Sequence, residues 1–124
     1  MKNDFKIIQI FNDEKFVDTT IKLFEEVYPN KSIYYVLQTS NKPFIHVSSE
    51  KAKPVLIQKE GDEKKILDAF YKNKIEVVFL HALGLTKQRI VNLLGNDILK
   101  VWFIWGSDLY WNWKLLKPVK VNII

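Results

Sequence analysis

The sequence predicts an α/β fold, a three-layer α/β/α domain built around a mostly parallel five-stranded sheet. Short apolar runs of strand length recur along the chain, from FKIIQIF at residues 5–11 to KVWFIW at residues 100–105. Segments with helical spacing of apolar residues lie between these runs, and that alternation is typical of parallel sheets covered by helices on both faces. With 124 residues, 48% of them apolar, the chain is long enough for one domain with one core.

The first half of the chain supplies two strands and a helix. Phe5 to Phe11 is apolar at nearly every position, as in a strand buried on both faces. Apolar side chains then recur at helical spacing from Phe16 to Val27, and we expect Asn12 or Asp13 to cap this helix. Ser32 to Leu37 (SIYYVL) predicts the second strand.

The middle of the chain is irregular in pattern. Residues 41–57 contain two prolines and no clear period, which predicts a loop with short edge strands at Phe44–Val47 and Val55–Ile57. A helix is expected to open at Gly61-Asp62. Its inner face would carry Ile66, Leu67, Phe70 and Tyr71.

The second half predicts two more strands with a helix between them. EVVFL at residues 76–80 is a buried strand, and residues 100–105 form the last one. For the helix between, Thr86 is the expected N-cap, Leu85 is expected to pack on Ile90, and Gly95 is expected at the C′ position just after the helix. Right-handed crossovers then place the first strand in the middle of a doubly wound sheet, with the fourth and fifth strands beside it.

Composition excludes several classes of site. The chain has no cysteine and only two histidines, His46 and His81, so thiolate chemistry is ruled out and a histidine metal site is not expected. The net charge is +5, but Arg89 is the only arginine, which does not favour nucleic-acid recognition. No apolar run has transmembrane length, and the N-terminus turns acidic too early for a signal peptide, so we expect a cytoplasmic protein.

Three loops are expected at the carboxyl ends of the strands, where open α/β sheets bind ligands. They are residues Asn12 to Glu14, His81 to Gly84 and Trp105 to Asp108. His81 is either a histidine satisfied by the backbone or an acid, base or ligand. Asp13 and Asp108 are either helix caps or ligand contacts, and the dense aromatics from Trp102 to Trp113 are either core or a wall for a sugar or lipid. No dinucleotide fingerprint, P-loop or nucleophile elbow is present in the sequence, so no cofactor is expected.

Three segments together resemble one glycosyltransferase family. They are KIIQIFNDEKFVDTTIKLFE near the N-terminus, VVFLHALGL around His81, and WFIWGSDLY at residues 102–110. The chain resembles the 4-acetamido-4,6-dideoxygalactosyltransferases, also called TDP-N-acetylfucosamine:lipid II N-acetylfucosaminyltransferases and grouped with 4-alpha-L-fucosyltransferases. Ala82 departs from the family pattern, in which a glycine follows the histidine. The resemblance covers Lys6 to Tyr110.

The resemblance implies a Rossmann-like domain that forms the N-terminal, acceptor-side half of a metal-independent GT-B glycosyltransferase. It implies a nucleotide-sugar donor, bound by a C-terminal domain, and a polyprenyl-diphosphate-linked acceptor at the inner membrane surface. The resemblance and the loops at the strand ends together put forward two groups of residues. His81 and Asp108 are the catalytic candidates, and the substrate-binding candidates are Asp13, Trp105, Gly106, Ser107 and Tyr110.

These implications lead to expectations for the whole chain. Residues 1–110 are expected to form the domain and residues 111–124 an atypical aromatic and apolar tail, so that the chain is a fragment without transferase turnover of its own. Trp111 and Trp113 are expected to promote a homo-oligomer. The alternative is a free-standing flavodoxin-like or receiver-like domain that binds a partner without catalysis.

Overall fold

The structure, a computed structural model, describes residues 5–104. Five strands and three helical regions follow one another in the expected order, and no helix lies between the second and third strands. The strands are β1 (Ile7–Asn12), β2 (Ser32–Gln38), β3 (Ala52–Leu56), β4 (Val77–His81) and β5 (Leu99–Phe103). The helices are α1 (Val17–Val27), a 3-10 turn (Asp62–Ile66) that leads into α2 (Leu67–Lys72), and α3 (Leu85–Leu93).

All five strands are parallel, in the order β3-β2-β1-β4-β5. The predicted α/β class is therefore confirmed, with β1 in the middle and β4 and β5 beside it. The chain winds in one direction from β1 to β3 and then returns to the other side of β1. The order therefore reverses between β1 and β4, and this reversal point is where doubly wound sheets hold their ligands.

Two apolar layers cover the sheet. One face, which includes Ile8, Ile10 and Leu80, packs against Phe70 and against Ile90 from the helices after β3 and β4. The other face packs against α1 and against the segment between β2 and β3, through a cluster that contains Phe11, Val17, Ile21, Tyr34 and Val47. Strands buried on both faces explain why the sequence shows continuous apolar runs and not a period of two.

Several local expectations were wrong. Phe44–Val47 is not a strand but a stretch of bends and irregular backbone, because the Asp13 carboxylate binds three of its N–H groups in place of a neighbouring strand. The edge strand expected at Val55–Ile57 is present as β3, and only its bounds differ, since it runs from Ala52 to Leu56. Tyr71 is 55% exposed and does not face the core, because the helix begins with a 3-10 turn that shifts its inner face.

The expectations for the N-terminal caps were also wrong. No side-chain hydrogen bond caps α1, whose N-cap is Phe16, or α3, whose N-cap is Gly84 and not Thr86. Leu85 is 60% exposed, so it does not staple the start of α3. At the other end of α3 the C-cap is Leu94, so Gly95 does occupy the expected C′ position, although its backbone is not left-handed.

Candidate functional site

The candidate site is the carboxyl edge of the sheet where β1 and β4 lie side by side. In the register of this pair Ile10 is opposite Leu80, so β1 and β4 end at the same level. The chain leaves the sheet there through Asp13 on one side and through Ala82 to Gly84 on the other. Asp13 and His81 therefore lie at the same edge of the sheet, as expected.

His81 is the last residue of β4, and its ring is enclosed by aromatic neighbours. It is 2% exposed. The ring stacks on Phe11 with centroids 4.1 Å apart and on Phe103 with centroids 4.8 Å apart, so one ring comes from each of three adjacent strands. Burial, followed by the nearby Lys87 ammonium, lowers the pKa of His81 to about 3, and the imidazole is therefore neutral at physiological pH.

The two ring nitrogens of His81 differ in their environment. Nε2 lies 2.7 Å from the amide oxygen of Gln9, a fully buried residue in the middle of β1. Nδ1 is buried and has no hydrogen-bond partner among the described residues. A buried polar atom without a partner is uncommon in folded proteins and is often explained by a functional role. The expectation that a backbone group satisfies His81 is wrong, since Gln9 provides the contact through its side chain.

Lys87 places a positive charge beside this histidine. The residue is 1% exposed and lies in the first turn of α3, where the helix dipole disfavours a cation. Its ammonium donates a hydrogen bond to the backbone oxygen of His81 at 3.0 Å. A buried ammonium at this end of a helix, at the carboxyl edge of the sheet, is suited to binding an anionic or strongly polar group.

The turn after β4 is strained. Ala82 has φ 64°, in the left-handed region that glycine adopts at no steric cost. For alanine this conformation costs about 1 kcal/mol. Its N–H donates to the oxygen of Phe103 at 3.0 Å, which continues the pairing of β4 with β5 and holds the turn in place.

Asp13, by contrast, binds backbone N–H groups of the loop after β2. Its two carboxylate oxygens accept hydrogen bonds from the N–H groups of Ile45, His46 and Val47, at 2.6, 2.9 and 3.2 Å. Asp18 accepts from the next two N–H groups, those of Ser48 and Ser49. The carboxylate that was expected to contact substrate therefore fixes the loop after β2, which borders the candidate site.

An open cavity of about 290 Å³ lies beside the turn after β4, between α3 and β5. Leu80 and Leu83 form part of its apolar lining, and Gln88, Asn92 and Lys100 provide polar groups. The single arginine lies elsewhere. Arg89 pairs with the buried Glu63 at 3.4 Å and so ties α3 to the 3-10 turn.

The other site candidates lie outside the described residues. These are Trp105, Gly106, Ser107, Asp108 and Tyr110, together with the tail from Trp111 onward. Sequence reasoning missed Gln9 and Lys87. Gln9 could have been found, because a glutamine inside the apolar run FKIIQIF must find a buried partner. Lys87 carried a weaker signal, a lysine in the first turn of a helix.

The described part of the chain lacks two features that would point to particular functions. Within residues 5–104 no group of three or more His, Cys, Asp or Glu side chains could hold a metal ion. In the same range no helix is long and apolar enough to cross a membrane. Comparisons of the chain with models of known families, with curated proteins and with solved structures found no match.

Proposed function

We propose that this chain is the acceptor-binding domain of a glycosyltransferase that moves a deoxy-amino sugar from a nucleotide-sugar to a polyprenyl-diphosphate-linked saccharide. One observation carries the proposal. The three segments that resemble the 4-acetamido-4,6-dideoxygalactosyltransferases are far apart in sequence, yet they contain β1, β4 and the last two residues of β5, and these three strands are adjacent in the sheet. Their carboxyl ends therefore form one continuous edge.

The chemistry of this edge suits such an acceptor. The Lys87 ammonium would attract the diphosphate, and the neutral His81 imidazole would accept a hydrogen bond from a sugar hydroxyl. In two-domain enzymes of this kind the nucleotide-sugar binds to the other domain, and the reaction takes place in the cleft between the two. Positioning across such a cleft contributes about 7–11 kcal/mol to catalysis. The proposal therefore assigns acceptor binding, and no turnover, to these 124 residues.

A binding test separates sugar recognition from general attraction to phosphate. The chain would be titrated with a short-chain prenyl diphosphate carrying N-acetylglucosamine, and with the same prenyl diphosphate without the sugar. We expect tighter binding of the saccharide, with chemical-shift changes centred on residues 80–87. Equal binding of both compounds, or changes confined to other parts of the chain, would overturn the proposal.

A pair of lysine variants tests the site itself. Lys87→Met removes the buried ammonium, and we expect about tenfold weaker binding of the saccharide diphosphate because a charge-assisted hydrogen bond is lost. Lys72→Met is the matched control, since Lys72 is exposed at the end of α2. If both variants lose affinity for the saccharide diphosphate equally, binding depends only on the net charge of the protein and not on Lys87.

The alternative function, a flavodoxin-like or receiver-like binding domain without catalysis, finds less support in the topology. The sheet order is 3-2-1-4-5, as in the nucleotide-binding doubly wound sheets, whereas flavodoxin-like sheets have the order 2-1-3-4-5. Self-association and attachment to the inner membrane surface remain predictions.

A further inference from the structure

Arg89, in the second turn of α3, is the only arginine among the 19 basic residues of the chain, and a buried carboxylate holds one of its nitrogens. Glu63 is 2% exposed, and one of its oxygens lies 3.4 Å from Arg89 Nη1. The other Glu63 oxygen accepts a hydrogen bond from the Gly61 N–H at 2.8 Å, which fixes the carboxylate in place. The Arg89 side chain itself is 38% exposed, so a ligand can reach it.

The contact with Glu63 does not explain why this position carries arginine. At 3.4 Å it is a single contact, longer than the usual N–H···O distance of about 2.7–3.2 Å. A lysine ammonium could make the same contact, and the chain has lysine at the other 18 of its 19 basic positions. Arginine differs from lysine in its planar fork of N–H groups, which can bind both oxygens of a carboxylate at once. The pair with Glu63 does not use this property.

Arg89 lines a cavity of about 410 Å³ between α3 and the 3-10 turn. Within residues 5–104 its guanidinium makes no hydrogen bond or ion pair other than the one with Glu63. Asn92, one turn further along α3, and Lys64, in the 3-10 turn, line the same cavity. In this part of the chain neither of these two side chains has a hydrogen bond or an ion pair. Three side chains therefore have N–H donors that are available to a ligand in one cavity.

The charges around the cavity favour a ligand group with a single negative charge. Arg89 and Lys64 are cations. Glu63 and the exposed Glu60 are anions, so the lining is neutral overall. A doubly charged phosphate would gain little from such a lining, whereas a carboxylate has one charge and a planar shape that matches the guanidinium. Leu93, which is 42% exposed, offers apolar contact to the rest of such a molecule.

We propose that the cavity between α3 and the 3-10 turn binds the carboxylate of a small organic acid, with Arg89 donating to both oxygens and with Lys64 and Asn92 as additional donors. Its volume is within the range of small-molecule sites, about 300–1,000 Å³. The lining residues come from α3, from the 3-10 turn and from the two residues before it, and not from the edge of β1 and β4. This site is therefore separate from the acceptor site of the proposed function.

The test uses the side-chain Nε–H signal of Arg89, which is unique in the spectrum because the chain has one arginine. The 15N-labelled protein would be titrated with butyrate, with butyramide as an uncharged analogue of the same shape, and with inorganic phosphate, all at equal ionic strength. We expect butyrate to shift the Arg89 signal and to bind about tenfold more tightly than butyramide, because only the carboxylate accepts two charge-assisted hydrogen bonds. No shift with butyrate, or tighter binding of phosphate than of butyrate, would overturn the proposal.

A lysine variant separates the shape of the guanidinium from its charge. Arg89→Lys keeps the positive charge but loses the planar fork, and we expect butyrate to bind about tenfold more weakly. Binding to this variant is followed through the side-chain amide signals of Asn92, which lines the same cavity. Unchanged affinity would mean that any cation suffices at this position, contrary to the proposal.

Two glutamate variants test the location of the site. Glu60→Gln removes a negative charge that opposes a carboxylate in the cavity, and we expect about threefold tighter binding of butyrate. Glu26→Gln is the matched control, because it changes the net charge equally at an exposed residue of α1, on the other face of the sheet, and should leave the affinity unchanged. Equal tightening in both variants would show that butyrate responds only to the net charge, and the proposed site would be wrong. Both glutamates are exposed, so this pair tests the site even if Arg89→Lys fails to fold.

Discussion

Two loops at the carboxyl edge of the sheet use polar groups in opposite ways. In the loop after β2, the five consecutive N–H groups of residues 45–49 all donate to the carboxylates of Asp13 and Asp18. In the turn after β4, a buried histidine nitrogen has no partner among the described residues, a lysine is buried, and Ala82 has a left-handed backbone. The first arrangement is complete in itself, whereas the second carries one nitrogen without a partner among the described residues and one strained backbone position, features of the kind found at binding sites.

The largest expected effect is the change in the free energy of unfolding with pH, to which His81, just before the turn after β4, contributes strongly. The pKa of His81 is about 3 in the folded protein and about 6.5 in the unfolded chain. Between these values the unfolded chain binds a proton that the folded protein excludes, so the free energy of unfolding falls as the pH is lowered. His81 alone should lower it by about 3 kcal/mol between pH 7 and pH 4, measured by urea denaturation.

The window between pH 7 and pH 5 isolates this effect. Asp18 and Glu25 have lowered pKa values, because hydrogen bonds outweigh the opposing effect of burial, and their contribution is lost only below the ordinary carboxyl range. His81→Phe should remove most of the slope in this window, and His46→Ala, a change at an exposed residue, should leave it. If the protein without substitutions has the same free energy of unfolding at pH 7 and at pH 5, then His81 can be protonated in the folded state and the prediction is wrong.

The second prediction concerns the loop after β2. Asp13→Ala leaves three N–H groups without their carboxylate, and we expect a loss of about 2 kcal/mol in the free energy of unfolding. Glu14→Ala, at the exposed neighbour, should change it by less than about 0.5 kcal/mol. The histidine ring signals of His81 should stay in place, and a large shift there would mean that the two loops are coupled.

The sequence predicted the strands and their order well, because continuous apolar runs and right-handed crossovers leave few arrangements open. It failed where side chains compete with the backbone. Asp13 was expected to cap a helix but instead binds N–H groups about 30 residues further on, and no local pattern shows such a contact. The partner of His81 was missed for the same reason, since Gln9 is 72 residues away in sequence.

The third prediction concerns the cause of the lowered pKa of His81. Burial is the larger cause of its lowered pKa and the Lys87 ammonium the smaller one. Lys87→Met should therefore raise the pKa of His81 above about 3 while leaving it below its ordinary value. An NMR titration of the ring signals measures this directly. A return of the pKa to 6.5 would show that the charge of Lys87, and not burial, keeps the imidazole neutral.

The smallest expected effect tests the strained turn. Ala82→Gly relieves the left-handed backbone at φ 64°, and since glycine costs some entropy in the unfolded chain, the net gain in stability should be at most about 1 kcal/mol. Ala69→Gly, inside α2, is the matched control and should lower stability by about 1 kcal/mol, since the helical backbone gains nothing from glycine. Thermal denaturation of both variants gives the two signs side by side. If Ala82→Gly destabilises the protein as much as Ala69→Gly does, the turn after β4 is not strained, and one of the features that set this loop apart from the loop after β2 is lost.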